Sequence, residues 1–410
     1  MNPGLQHRMV YFLAVLVLLD AFVIPDLRFS KQLPAFQITD FLWPIGVLLI
    51  IPQLKKLGEN RWFIWLGMFA IYMMVPIAVN GRLGEMNDWF EIYKIVKLGG
   101  LFLLFSYASK QDFTGFIRAS FIGLVAINLM HFFEVLNFNH WMQEVYGSSE
   151  HWIFFGKDSL GNPAVKRMLG TLGNPNSNAL LFLFFAVFFI PKENSWKAKT
   201  WFFSALLMVF MCQSRTSILG CAAVIMYLLF IHYKQGYRYF VWQIPLFTTA
   251  VYCIGLMLST SFFQYNGYSD SLLDGSALHS NSLRGRWETW GVLWEMIQIK
   301  PWFGYGPFKS YFVENRLYSE NEYLLMWWRY GLFGLIFYLG ILLIPFRLLL
   351  HKNIGLKHER YFVFSAVMLL AALTNNPLTE RSIGILFVFL VAIAYHDESN
   401  LHEKTALDRQ

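Results

Sequence analysis

Charge is scarce in this chain: Asp, Glu, Lys and Arg make up 14% of its 410 residues, against 56% hydrophobic and 19% aromatic residues. So thin a supply excludes the surface of a soluble globular protein and leaves a polytopic membrane protein. Cysteine is scarcer still. The three present, Cys212, Cys221 and Cys253, all fall inside apolar segments, which excludes a disulfide framework or a thiolate metal site and makes them packing residues. HExxH and DxD patterns are absent, as is a nucleotide-binding glycine loop, and His140, His151 and His279 are scattered. The sequence therefore calls for no metal and no cofactor, and argues against a cytoplasmic sugar-nucleotide transferase. No nucleic-acid partner is expected. Nor does a small-residue cleavage site follow the first apolar run, Met9 to about Ile24, which reads as a signal anchor.

Long apolar runs are what is there. At roughly 20 apolar residues per crossing, about twelve spans are expected, in one all-α membrane domain covering 1–410. They lie near 9–24, 36–52, 62–79, 92–108, 114–136, 177–191, 201–213, 216–233, 239–262, 321–346, 361–376 and 383–396. Alternate connections hold Lys55, Lys56 and Arg61, then Lys110 and Arg118, Lys192, Lys197 and Lys199, Lys234 and Arg238, and Arg347, Lys352, Lys357 and Arg360. The opposite short connections hold chiefly Arg28, Lys31, Arg82 and Arg381. The positive-inside rule then puts the first set and both termini in the cytoplasm. Two long connections, 137–176 and 263–320, face outward, toward the periplasm of a Gram-negative inner membrane.

That parity requires the stretch MCQSRTSILG, Met211 to Gly220, to be a turn between two spans. The flanking runs are short for full crossings at 1.5 Å per residue, which draws Arg215 below the outer surface. An arginine at that depth calls for a wet cavity or an anionic partner; the alternative is a side chain snorkelling to the headgroups.

Other outward segments carry comparable chemistry. In RMLGTLGNPNSNALLF, Asn174 suits an N-cap and Pro175 the first helical position, so the helix starting near Asn176 points free N–H groups outward. Gly170 and Gly173 permit close approach of a ligand, and Arg167 stands just before them; an ordinary loop-to-helix turn has the same composition. In RGRWETWGVLWEMIQIKPWFGYGP, Trp287, Trp290, Trp294 and Ile297 recur at helical steps, which predicts an amphipathic interfacial helix. It either aims Arg284 or Arg286 at an anionic headgroup or simply roofs the spans. In YSENEYLLMWWRYGLFG, Glu320 and Glu322 bracket the start of a span, as end caps or as functional acids. Arg329, seven residues after Glu322, shares its face about two turns into the membrane. TNNPLTER adds Asn375, Asn376 and Arg381 on the same side. Arginines, amides and glutamates thus converge outward, and guanidinium forks match phosphate oxygens. A pyrophosphate-linked lipid fits.

These segments, GTLGNPNSNA, SRTSILG, RGRWETW with KPWFGYG, and ENEYLLMWWRYGLFG, resemble in order those of the O-antigen polymerase and O-antigen ligase superfamily. The resemblance runs from about Arg167 to the last span; the first third shares only its run of spans. It implies a GT-C-like helical glycosyltransferase that takes a glycan from undecaprenyl diphosphate, the lipid-linked oligosaccharide being its partner within the bilayer lipid. A chain-length regulator and a flippase are further expected partners. It implies that Arg215 and Arg286 hold the diphosphate, with Arg284 as neighbour. In ligases a histidine and an asparagine usually precede the late span; here Glu320, Asn321, Glu322 and Tyr323 stand there, which looks more like the polymerase branch.

On physical grounds diphosphate leaves well, so arginines need only stabilise charge developing on it, while Glu320 or Glu322 takes the acceptor proton as general base. The expected catalytic set is Glu320, Glu322, Arg215 and Arg286. The expected binding set is Arg167, Asn174, Asn176, Arg284, Asn321, Tyr323, Arg329 and Arg381. The nearest rival is an O-antigen ligase moving polymer to lipid A core. A flippase is more distant, since it predicts internal repeats and charges in the middle of several spans, and neither is evident.

Overall fold

The computed structural model describes residues 3–24, 36–53, 60–133, 135–146, 167–191, 195–212, 214–234, 281–315, 319–344, 346 and 356–407. Among these the regular structure is helical. In chain order the helices are α1 (Pro3–Phe22), α2 (Thr39–Ile50), α3 (Arg61–Tyr72), α4 (Met74–Val79), α5 (Met86–Ala108), α6 (Thr114–Phe133), α7 (Phe138–Tyr146) and α8 (Pro175–Phe188). They continue with α9 (Trp196–Met211), α10 (Arg215–Lys234), α11 (Asn281–Ile299), α12 (Lys309–Glu314), α13 (Glu322–Leu343), α14 (Leu356–Ala371) and α15 (Arg381–Leu407). A helix covers every expected span except 239–262, which lies outside the described residues. Four segments, Gly4–Phe22, Arg61–Val79, Thr114–Phe133 and Glu322–Leu343, are long and apolar enough to cross a membrane, and four shorter helices are apolar. The described residues are thus helical, with apolar helices as a membrane protein has them.

Helix starts follow local chemistry. Asn60 caps α3 by accepting from the amides of Trp62 and Phe63. Asn174 caps α8 in the same way, accepting from Asn176 at 2.8 Å and Ser177 at 3.4 Å, with Pro175 in the first turn. Asn321 caps α13 through the Leu324 amide at 3.1 Å. Each cap satisfies amides that would otherwise lack a partner at the helix end.

The chain divides into two compact units, residues 1–116 with 286–410, and residues 117–285. In the first, α5 is the axis: it packs against α15, α2, α3 and α1, and its residues from Leu98 to Ala108 are all buried. In the second, α8 packs against α9 and α10, with every residue but Asn176 buried. Apolar on all sides, α8 behaves as a core helix should.

Two of these spans are not single regular helices. The stretch 62–79 is two helices meeting at Met73, and α13 breaks at Gly331, whose φ of 67° and ψ of −172° lie outside helical space. The break is filled by the KPWFGYG turn. Tyr305 donates its amide to the Trp328 carbonyl (3.1 Å), Gly306 to that of Arg329 (2.7 Å), and Leu332 to that of Pro301 (2.8 Å); the Tyr72 hydroxyl donates to the Tyr330 carbonyl at 2.7 Å. Backbone groups freed by a broken span thus find partners inside the protein, as a membrane requires.

The helix of the second long connection runs Asn281–Ile299, but its predicted apolar stripe splits. Ile297, with Leu293, is buried against Leu325 and Trp328, whereas Trp287 and Trp294 are exposed. Its core contact is therefore one residue stripe away from Trp287 and Trp294, which remain exposed.

Candidate functional site

One end of the first unit gathers a cluster of charged side chains. Here α1 ends, α2, α5, α13 and α15 begin, and the 372–380 turn passes. Asp20, near the end of α1, accepts from the Thr39 amide at 2.9 Å and from the Thr39 hydroxyl.

At the start of α13 the two glutamates differ. Glu322 is 0% exposed, and its carboxylate accepts from the Tyr338 hydroxyl (2.7 Å) and the amides of Leu378 (3.0 Å) and Thr379 (2.7 Å). Its own amide donates to the Ala372 carbonyl at 2.8 Å. The side chain of Glu320 is 44% exposed and ion-paired with Arg286 of α11, itself 23% exposed. Tyr323 donates its hydroxyl to the Leu369 carbonyl at 2.6 Å. Asn376 donates to the Ser319 carbonyl, so the turn before Arg381 is laced to the start of α13. Glu322 acts as the clamp of this joint. Glu322→Gln, isosteric but left with one acceptor oxygen for three donors, is expected to cost about 1.5–3 kcal/mol of stability, seen as a lowered Tm of the purified chain in detergent; an unchanged Tm would remove the clamp.

Deeper in, Glu91 of α5 is shared by three cations: Lys94 Nζ at 2.8 Å, Lys309 Nζ at 3.2 Å and Arg329 Nη1 at 3.6 Å. Arg329 also lies over the Phe312 ring, 5.4 Å from its centroid. One turn along α5, Lys97 is paired with Asp40 at 2.8 Å and donates to Gln37 at 3.0 Å. Arg82 is bonded to Asp88 at 2.8 Å and stacks on Phe308 at 3.9 Å. Arg381 lines two adjoining clefts together with Lys94 and Lys97. Glu322 and Arg329, expected on one face of α13, are both buried but go to different partners.

In the second unit the GTLGNPNSNA and MCQSRTSILG segments meet. Arg167 donates from Nε to the Cys212 carbonyl at 3.3 Å and from Nη2 to Asn176 at 3.2 Å. Asn178 donates to Asn128 (2.8 Å), to the Met168 carbonyl (3.2 Å) and to the Cys212 sulfur (3.2 Å). Gly170 has φ of 60°, and a Cβ there would fall 1.9 Å from the Asn178 Oδ1, so close approach of the loop requires glycine. The expected turn is present: α9 ends at Met211 and α10 begins at Arg215. Ser214 opens α10 by accepting the Ile218 amide on its carbonyl (3.0 Å) and the Ser217 hydroxyl on its own. Arg215 is therefore the first helical residue. The side chains of Arg215 and Arg284 lie outside the described residues.

The predicted residues thus fall into two groups: Arg167, Asn174 and Asn176 beside the turn into Arg215, and Arg286, Glu320, Asn321, Glu322, Tyr323, Arg329 and Arg381 in the first unit, with Arg284 at the boundary. Sequence reasoning passed over Glu91, Lys94, Lys97 and Lys309. The signal was there in EIYKIVK, where charges at steps of three share a helix face inside an expected span.

Helices of membrane-crossing length with clustered charge at their ends define a multi-pass membrane protein with a polar site at one end of its helices. Residues 200–339 match the family model described as O-Antigen ligase. Over 374 residues, 85% of this chain and 64% of the relative, the chain is 25% identical to the ComP-specific O-oligosaccharyltransferase of Acinetobacter baylyi (strain ATCC 33305 / BD413 / ADP1). It thus spans less than two thirds of that relative's length. Both matches point the same way as the motifs, to a likeness with O-antigen ligases and oligosaccharyltransferases.

Proposed function

We propose that this protein transfers a glycan from an undecaprenyl-diphosphate carrier to an acceptor hydroxyl, without a metal, at the periplasmic side of a bacterial inner membrane, with both termini in the cytoplasm. The observation that carries the reading is the Arg167 bridge between the Cys212 carbonyl and Asn176. It joins the capped start of α8 to the turn between α9 and α10, setting a helix N-terminus and the Arg167 charge together as an oxyanion of phosphate demands.

Within this reading Arg215, with Arg284 and Arg167, acts on the diphosphate, and Asn174 and Asn176 shape the approach. Glu320 is the general base, because its carboxylate is half exposed while that of Glu322 is committed to three donors. Arg286, assigned by resemblance to the diphosphate, here also holds the Glu320 carboxylate in place. The hydroxyl oxygen attacks the anomeric carbon, the bond to the diphosphate oxygen breaks with its electron pair, and Glu320 takes the hydroxyl proton.

For the acceptor we keep the polymerase reading, in which the terminal sugar of a lipid-linked repeat unit is extended, because the ENEY segment lacks the ligase histidine. The ligase reading has its own support, the description of the matched family and the relative that is an O-oligosaccharyltransferase. Deleting the gene and resolving the surface glycan and the carrier-linked oligosaccharides decides between them. Single repeat units capped on the core, with polymer missing, are expected; full-length polymer retained on the carrier means transfer to another acceptor, and units trapped on the inner leaflet mean a flippase. Complementation with Glu320→Gln is expected to lower transfer by about 10²–10⁴-fold, with partial recovery in Glu320→Asp; wild-type transfer by Glu320→Gln removes it as base.

A further inference from the structure

Helix α11 carries two large indoles that the fold does not use for burial. Trp287 is 63% exposed and Trp294 44%, while the same helix buries Leu293 and Ile297 on another stripe. Neither ring is loose. Trp287 meets Trp290 edge to face, with ring centroids 5.2 Å apart at 69°, and Trp294 meets Trp327 in the same way at 5.5 Å and 87°. Trp327 is fixed in turn, its Nε1 donating to the Pro301 carbonyl at 3.1 Å. Each exposed indole thus stands against a second one, which limits the side-chain entropy that binding would remove.

Seven residues separate the two, a rise of about 10.5 Å at 1.5 Å per residue, and that spacing puts both on one side of α11. Gly291 stands between them on the same side, with nothing within 4 Å of where a Cβ would be. Glycine weakens a helix interior, and no close backbone approach requires it here. It leaves an open floor between two apolar plates. Glu288 and Glu295, also two turns apart, edge this stripe and Gln298 extends its far end, all three exposed. From Trp287 to Ile299 the helix carries no Lys or Arg. Such a face does not suit an anionic bilayer surface, where an interfacial helix sets basic residues beside its apolar side. It suits a ligand with flat C–H faces and hydroxyl edges, because the faces lie on indoles and the carboxylates accept from the hydroxyls.

We infer that the Trp287–Gly291–Trp294 face of α11 is a shelf for pyranose rings of a glycan chain, with Glu288 and Glu295 on their hydroxyls. The inference rests on the glycan-transfer reading and adds to it a place for the sugar chain. The shelf begins one residue after Arg286, which is ion-paired with Glu320, so a glycan lying along it leads to the proposed base. Because the indoles are two helical turns apart, a single ring covers one of them and a longer chain reaches both.

The probes are oligosaccharides released by mild acid from the host's own surface glycan and sized to one or to several repeat units, free of lipid and diphosphate. Saturation-transfer NMR with the full chain, in detergent and in nanodiscs of phosphatidylethanolamine and phosphatidylglycerol, is expected to show signal on the sugar C–H protons, stronger for the longer probe. Trp287→Ala with Trp294→Ala is expected to weaken binding about tenfold or more, as loss of buried tryptophan contacts does. Trp287→Phe with Trp294→Phe should weaken it far less, since a phenyl ring keeps an apolar face. Gly291→Leu fills the floor at an exposed position where leucine favours the helix, and is expected to block the probe with Tm unchanged. Farnesyl diphosphate, which has no sugar, is expected to shift Tm equally in all these chains. Equal glycan binding by the wild type, the double alanine variant and Gly291→Leu overturns the shelf and leaves the transfer reading standing, whereas no glycan bound by the wild type in either medium overturns both. Binding in detergent that is lost in nanodiscs gives the face to the bilayer and overturns the shelf. A farnesyl diphosphate shift lost together with the glycan signal makes the effect one of folding and overturns it as well.

Discussion

Arg215→Ala is expected to lower glycan transfer by about 10²–10³-fold, the usual effect of removing one group that stabilises charge developing in a transition state. It is the first residue of α10, and a guanidinium fork matches the oxygens of a diphosphate. The neighbouring loop is built to support it, since Arg167 ties the Cys212 carbonyl to Asn176 and glycine at 170 lets the loop close on Asn178. Arg215→Lys should recover part of the rate, because an ammonium keeps the charge but not the two-pronged geometry. Release of the lipid diphosphate by the purified chain, measured in single turnover, is the check. A fall in kcat assigns the contact to the transition state, and a rise in KM alone assigns it to ground-state binding. Transfer within about threefold of wild type, against the 10²-fold loss expected, would mean that Arg215 does not act on the phosphates.

The second large effect falls on stability. Gly331→Ala is expected to cost about 3–6 kcal/mol, from backbone strain of about 1–3 kcal/mol and disruption of hydrogen bonds worth roughly 0.5–1.5 kcal/mol each. At φ 67° and ψ −172° the residue occupies space that is nearly closed to side chains. A Cβ there would lie 2.0 Å from the Trp302 carbonyl oxygen and 2.2 Å from its carbon, backbone atoms with no rotamer to change. The 300–306 turn would have to leave, and with it the partners of the Trp328 and Arg329 carbonyls. Arg329 itself, the residue two before the break, would lose its placement against Glu91. Gly304→Ala should behave similarly, its Cβ falling 2.6 Å from Arg329 backbone atoms at φ 67°. Gly291→Ala is the control: it sits in α11 with nothing within 4 Å, where alanine favours the helix. Thermal unfolding in detergent should separate Gly331→Ala clearly from Gly291→Ala; equal Tm values would refute the interlock.

Much of the fold was legible locally. Apolar runs of crossing length located the helices, and Asn174 with Pro175 marked the start of α8 to the residue. The turn before Arg215 followed from the alternation of basic connections along the chain. The break in α13 was not legible, because a glycine in an apolar run carries the same local signal whether or not a distant turn docks on it. The interfacial helix was placed, but not its buried stripe, since tryptophan periodicity shows amphipathicity and not which partner is present.

The candidate site divides along the same line. Composition, apolar run length and capping residues by themselves determined a helical membrane protein, its family-like motifs and the arginines at helix starts, because these depend on neighbours a few residues apart. Only the tertiary structure sets Glu320 and Glu322 in different surroundings, though they are two residues apart and alike in type. One carboxylate is buried under donors from residues 338, 378 and 379, and the other remains half exposed beside Arg286. Likewise only the fold brought Lys309 and Arg329 to Glu91 across more than two hundred residues of chain. Burial and charge balance are sums over everything packed around a group, and the members of that sum are chosen by long-range packing rather than by sequence spacing.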